Sequence, residues 1–200
     1  IKRKFKYQEL LPYLHYLTSS PDAIPYRTTY YSKNWGFCIS YNDFLEKFKN
    51  GEEYEVSIDS EFIDGSLSVG ELLLRGKNHK EILISCYICH PSMANDSLSG
   101  VVLTAFLARE MLKMNLNHSY RIIFIPETIG AITYCAKNES NIKDIDQGLV
   151  ITTCAGPGEF GYKQSWNASN EINKIVERVF KKNNINYITY PFDVHGSDER

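Results

Sequence analysis

From Ile82 to Cys89 the chain is apolar except for Ser85, the pattern of a strand buried on both faces. His90 ends the run, a short loop follows, and Ser99-Gly100 leads into V-V-L-T-A-F-L-A-R-E-M-L, an apolar helix. The same rhythm continues downstream. It predicts a strand over 81–89, a helix over 97–114, a strand over 120–126 and a helix over 128–138. A strand over 147–154, a helix over 169–183 and a strand over 186–192 complete the series. Strand–helix alternation with short connections predicts a largely parallel sheet covered by helices.

The first part of the chain has a different texture. Residues 7–18 suggest a short helix interrupted by Pro12, and 21–42 are aromatic and irregular. A helical turn is expected over 43–50. E-Y-E-V-S-I-D-S-E-F, 53–62, alternates as a half-buried strand does. Asp64-Gly65 marks a turn, and S-L-S-V-G-E-L-L-L-R, 66–75, reads as a second strand. The expected fold class is therefore α/β: a mainly parallel mixed sheet flanked by helices, with a small N-terminal β-rich module. The expected boundaries are 1–78 for the helix and module and 79–200 for the α/β domain.

Composition narrows the function classes. Of 200 residues, 43% are hydrophobic, enough for a real core, and the formal charge of −2 offers no electrostatic case for nucleic acid. The apolar stretches are too short and interrupted to predict a membrane span, and Ile1 opens no signal-peptide pattern. Cysteines at 38, 86, 89, 135 and 154 are odd in number, which suits a reducing cytoplasm. Cys86 and Cys89 have redox-motif spacing but fall within a strand, so they are expected to be buried structural thiols.

Three polar residues punctuate strand ends. His90 closes one predicted strand, Asp96 opens the next helix, and Glu127 follows Pro126 at the end of the next strand. The carboxyl edge of such a sheet is where ligands bind, and imidazole with carboxylates suits zinc or a similar metal. A carboxylate left over can act as general base toward water. Each residue also has a plainer role: Asp96 as a helix N-cap, His90 as a satisfied loop histidine, Glu127 at the positive end of a helix. Their convergence on one edge favours the functional reading.

The element N-D-S-L-S-G, 95–100, resembles the N-D-x-x-S-G element of the zinc aminopeptidases of the MH clan. P-E-T-I-G, 126–130, stands at the place of their glutamate-bearing strand end, and F-D-V-H-G-S-D-E-R, 192–200, resembles their G-S-D element. Together with Y-R-T-T-Y-Y-S-K-N-W-G-F-C, 26–38, these segments are closest to a prokaryotic branch of aminopeptidase-like proteins with an inserted β-rich module. That branch is often linked to surface-polysaccharide biosynthesis. The resemblance implies a zinc-exopeptidase-like fold, His90 as a metal ligand, Asp96 as a ligand able to bridge two zinc ions, and Glu127 as catalytic base or ligand. Asp198, His195 and Ser99 would support the site. The chain departs from the pattern in four places. Thr128 replaces the second of two glutamates, Ser92 stands where a carboxylate orients the histidine, T-T-C-A-G-P-G lacks a strand-end aspartate, and the family's final ligand histidine follows the G-S-D element.

The expected function is metal-dependent hydrolysis of a peptide or amide bond in a small molecule, using one or two zinc ions, without a nucleic-acid or membrane partner. Homo-oligomerisation is left open. Two alternatives are an N-acyl deacylase of envelope polysaccharide synthesis and an inactive binding module of the same fold. Trp35, Phe37, Tyr30 and Tyr31 read either as a substrate-facing wall or, more simply, as module core. Glycines 156, 158 and 161 read as an active-site loop.

Overall fold

A computed structural model describes residues 1–27, 32–91, 93–192 and 198. The chain is mixed α/β, with several small sheets, and divides into two compact units, Ile1–Asp64 and Gly65–Arg200.

The first unit contains β1 (Lys2–Lys6), α1 (Tyr7–Leu10) with a 3-10 turn over Leu11–Tyr13, β2 (Leu14–His15), β3 (Phe37–Cys38), α2 (Tyr41–Lys47) and β4 (Glu53–Ser57). Pro12 sits in the 3-10 turn, where its fixed φ is tolerated and the α-helical ladder has already ended. Ser40 caps α2 by accepting the Asp43 amide at 3.0 Å. The buried core is Phe5, Leu10, Leu14, Phe44 and Val56. Trp35 packs against it, stacked on Tyr13 at 3.9 Å between ring centres and tilted against Phe5 at 5.4 Å. Trp35 is thus module core, and Phe37 meets it edge-on. Tyr30 and Tyr31 lie outside the described residues.

The hairpin expected across Asp64-Gly65 does not form. β4 pairs instead with β1, antiparallel, with Lys4 opposite Glu55 and Lys6 opposite Glu53. Opposite charges facing each other across the ladder favour this pairing. The would-be hairpin partner becomes β5 (Gly70–Leu74) in the second unit, although the sequence reading placed it in the 1–78 module.

The second unit continues with β6 (Glu81–Tyr87), α3 (Gly100–Met111), β7 (Ser119–Ile125), α4 (Ile129–Lys137), α5 (Glu139–Ile142), β8 (Ile145–Val150), β9 (Phe160–Lys163), α6 (Glu171–Lys182) and β10 (Tyr187–Tyr190). Its main sheet has the order β5-β7-β6-β8. β6 runs parallel to both β7 and β8, while β5 is antiparallel to β7. The expected final strand does not join this sheet; β10 pairs in parallel with β9 in a separate two-stranded sheet. The main sheet is therefore mixed and smaller than the sequence suggested. Ile122 and Ile125 are fully buried in it, and α3 covers it with Gly100, Thr104, Ala108 and Met111, spaced as one helix face. Among the described residues no helix is long and apolar enough to cross a membrane.

An ion cluster crosses this sheet. Arg121 on β7 meets Glu81 on β6 with two bonds, Nε to Oε2 at 2.5 Å and Nη2 to Oε1 at 2.9 Å. Its Nη1 also bonds Glu71 on β5, whose carboxylate accepts the Tyr134 hydroxyl of α4 at 3.1 Å. The Arg121 and Glu81 side chains are 8% and 3% exposed. Hydrogen bonding to Glu81 raises the guanidinium pKa and keeps the group charged. Arg121→Met is expected to cost about 3–5 kcal/mol, because Glu81 would stay buried without its cation. Urea unfolding measures this directly, and a loss below about 1 kcal/mol would show the cluster to be dispensable for stability.

Candidate functional site

The parallel register sets Tyr87 opposite Ile125 as the last ladder pair of β6 and β7. The Ile88 amide continues the contact to the Ile125 carbonyl at 3.1 Å. Beyond it, side chains take over. The Glu127 amide donates to Cys89 Sγ at 3.0 Å, and the Cys89 thiol lies 3.9 Å from Glu127 Oε2. His90 follows directly, so the His90 and Glu127 positions share the carboxyl edge of neighbouring strands. Cys89 is exposed there, not buried as the strand pattern implied, because β6 ends at Tyr87. Local desolvation, with the Glu127 and Asp96 carboxylates adding to it, pushes the Cys89 thiol pKa up. The fully buried Cys86 thiol is pushed up to about 11, chiefly by burial.

His90 Nδ1 is 2.9 Å from the Pro91 carbonyl. With Nδ1 donating there, Nε2 carries the lone pair, the tautomer a metal-binding histidine needs. The Pro91 carbonyl thus fixes one ring nitrogen of His90, and Ser92 lies outside the described residues.

Asp96 is exposed and does not cap α3. It lies in a π turn, Asn95–Ser99, that precedes the helix, and Asp96 and Ser97 depart from helical dihedrals. Ser99 and Asn95 anchor the turn. Ser99 Oγ lies 2.6 Å from the Asn95 carbonyl and accepts the Cys154 amide at 2.9 Å, while Asn95 Oδ1 accepts the Ala155 amide at 2.9 Å. Ser97 Oγ pairs with Thr152 Oγ1. Gly100 permits this closeness: a Cβ there would sit 2.2 Å from the Ile151 carbonyl oxygen. The turn bearing Asp96 is in this way tied to the chain leaving β8, and Gly156 lies beside the Asn95 amide group.

Glu127 is exposed and precedes a tight turn. The Ile129 amide reaches the Glu127 carbonyl at 2.6 Å, and Thr128 between them has φ 57° and ψ −71°. This is a γ-turn with positive φ, a rare and strained form, and a β-branched residue makes it costlier. The Thr128 amide donates to Asp198 Oδ1 at 2.9 Å. Asp198 is thus bonded to the backbone next to Glu127, and His195 lies outside the described residues.

The donors His90, Asp96 and Glu127 have the chemistry of a zinc site. Among the described residues, however, no group of three or more His, Cys, Asp or Glu is arranged to hold a metal ion. Sequence reasoning missed Cys89 as a member of this edge. Its signal was adjacency: a thiol immediately before the strand-end histidine.

Residues 20–200 match the family model described as "Domain of unknown function (DUF4910)", and the chain belongs to that family. A Clostridium acetobutylicum protein is 46% identical over 192 residues, covering 96% of this chain and 44% of that protein. Its provisional name is polysaccharide biosynthesis protein with aminopeptidase-like domain. A crystal structure from the same organism, of a protein provisionally titled a peptidase, aligns over the whole chain with 44% identity and a TM-score of 0.82. This chain covers 47% of it, so the chain spans less than half the length of either relative.

Asn95→Ala should free the segment after β8. Two hydrogen bonds to Asn95 Oδ1 are lost, and hydrogen exchange over residues 154–158 should quicken by about tenfold with little change elsewhere. Unchanged exchange there would show that Asn95 does not hold that segment.

Proposed function

We propose that this DUF4910 chain takes part in metal-dependent hydrolysis of an amide bond, with a free amino terminus of a peptide as the favoured substrate class. The observation that carries the reading is the meeting of two strand ends, where Glu127 contacts Cys89 one residue before His90 and the charge of Asp96 acts on the same thiol. The aminopeptidase-like domain in the relative's name supports the same reaction class.

In this reading His90, through Nε2, and Asp96 would hold the metal. A zinc ion bound there would supply Lewis acidity and a water of lowered pKa. Glu127 is the base: its carboxylate takes a proton from the attacking water and returns it to the leaving amine. Pro91 holds the imidazole in register through its carbonyl, and Asp198 holds the Glu127–Thr128 backbone.

The polysaccharide-biosynthesis part of the relative's name favours a second reading, removal of an N-acyl group from a sugar, by the same chemistry at a different carbonyl. Substrate panels separate the two. Aminoacyl p-nitroanilides report the first and N-acetylated sugars the second. Zinc content below about one-tenth of an equivalent in chelator-free protein, with no turnover of either panel, would leave a binding module of the same fold.

Glu127→Gln should retain metal while turnover falls by about a hundredfold or more. Zinc analysis and steady-state kinetics on the same preparation check it. Loss of metal would make Glu127 a ligand, and unchanged metal and turnover would remove it from the site.

A further inference from the structure

We propose that Cys89 is a positioning residue, whose thiol grips Glu127 across the ends of β6 and β7 and fixes where its carboxylate points. The inference rests on the reading of Glu127 as the reacting carboxylate. The grip is two-sided: sulfur accepts the Glu127 amide at 3.0 Å, and the same Sγ, as donor, lies 3.9 Å from Oε2. One side chain thereby engages both the backbone and the functional end of the same residue.

The need for such a grip follows from the next residue. Thr128 holds a positive-φ γ-turn, a strained form that persists only when its surroundings over-determine it. Two described side chains do so. Asp198 takes the Thr128 amide on the far side of Glu127, and Cys89 takes the Glu127 amide on the near side. The backbone ladder of β6 and β7 has ended by this point, its last bond being Ile88 to Ile125. Without Cys89, the Glu127 amide loses its bond to the segment after β6, and the turn loses one of these two side-chain restraints.

A thiol suits this place for a physical reason. Sulfur is a soft, weak acceptor and S–H a weak donor, so both contacts can form without a fixed proton position. A hydroxyl is smaller but makes the same two kinds of contact, and a methyl group makes neither. Cys89 is exposed, so its replacement leaves the core intact.

Comparison of Cys89→Ala and Cys89→Ser in the full, zinc-supplemented chain tests the assignment. In Cys89→Ala the Glu127 amide should exchange about tenfold faster, and kcat on an aminoacyl p-nitroanilide should fall about tenfold with KM within about twofold. Cys89→Ser should restore both to within about threefold of the parent. The proposal is overturned if alanine leaves exchange unchanged, or if serine behaves like alanine, or if kcat is unaffected. If the parent chain hydrolyses neither amides nor N-acyl sugars, the hydrolase reading fails, and the exchange measurement still decides whether Cys89 holds Glu127.

Discussion

A guanidinium inside a sheet must be met by carboxylates, and Arg121 is met by one on each neighbouring strand, Glu81 from β6 and Glu71 from β5. Desolvating these charges is expensive, and their mutual attraction offsets the cost only if the geometry is right. A slip of β6 or β5 by one residue would turn Glu81 or Glu71 to the opposite face and strand the cation. The cluster therefore selects register more than it adds stability. Once the register is set, Tyr87 stands opposite Ile125, and the residues that follow both strands emerge side by side. The candidate site inherits its layout from a charge at the opposite end of the same strands.

The edge so formed is stitched by side chains, since the main-chain ladders have run out. Cys89 reaches Glu127, Asp198 reaches Thr128, and Ser99 and Asn95 reach Cys154 and Ala155. Each contact places a short polar segment where an uninterrupted strand or helix would have buried it. Gly100 and Gly130 serve the same end by close approach. A Cβ at Gly130 would lie 2.6 Å from Ile125 Cγ1, so α4 packs onto the end of β7 only with glycine at that position. The strain at Thr128 belongs to this design: departures from regular backbone gather where the polar residues are displayed.

Much of the second unit was legible in the sequence. β6 and β7 are dense apolar runs, and α3 and α6 show helical periodicity over twelve residues each, so their existence and order followed from pattern alone. That His90 follows β6, Asp96 precedes α3 and Glu127 follows β7 was legible for the same reason, although Asp96 lies in a π turn and does not open the helix. Pairing partners were not. β5 looked like the mate of β4 because Asp64-Gly65 resembles a hairpin turn, yet a nonlocal demand, the second carboxylate for Arg121, fits its place beside β7. The separate β9–β10 sheet was illegible because periodicity names strands, not neighbours. The π turn at Asn95–Ser99 was hidden as well, since its dihedrals reflect bonds to Thr152, Cys154 and Ala155, more than fifty residues away.

The Pro91 carbonyl beside His90 shows how much of a carboxylate's role a neutral group can take. A carboxylate beside a ligand histidine does two things: it fixes the tautomer and ring direction, and its charge raises the basicity of the ring. The Pro91 carbonyl does the first, because Nδ1–H can donate to an amide oxygen, though less strongly than to a carboxylate. It cannot do the second to the same degree, because it carries a dipole instead of a full charge. Net charge at the edge then falls to Asp96 and Glu127, whose carboxylates add to desolvation in raising the Cys89 thiol pKa. Orientation at this edge is supplied by neutral backbone and thiol groups, and charge by two carboxylates. Both meet at Glu127, whose amide the Cys89 sulfur binds and whose carboxylate carries the charge.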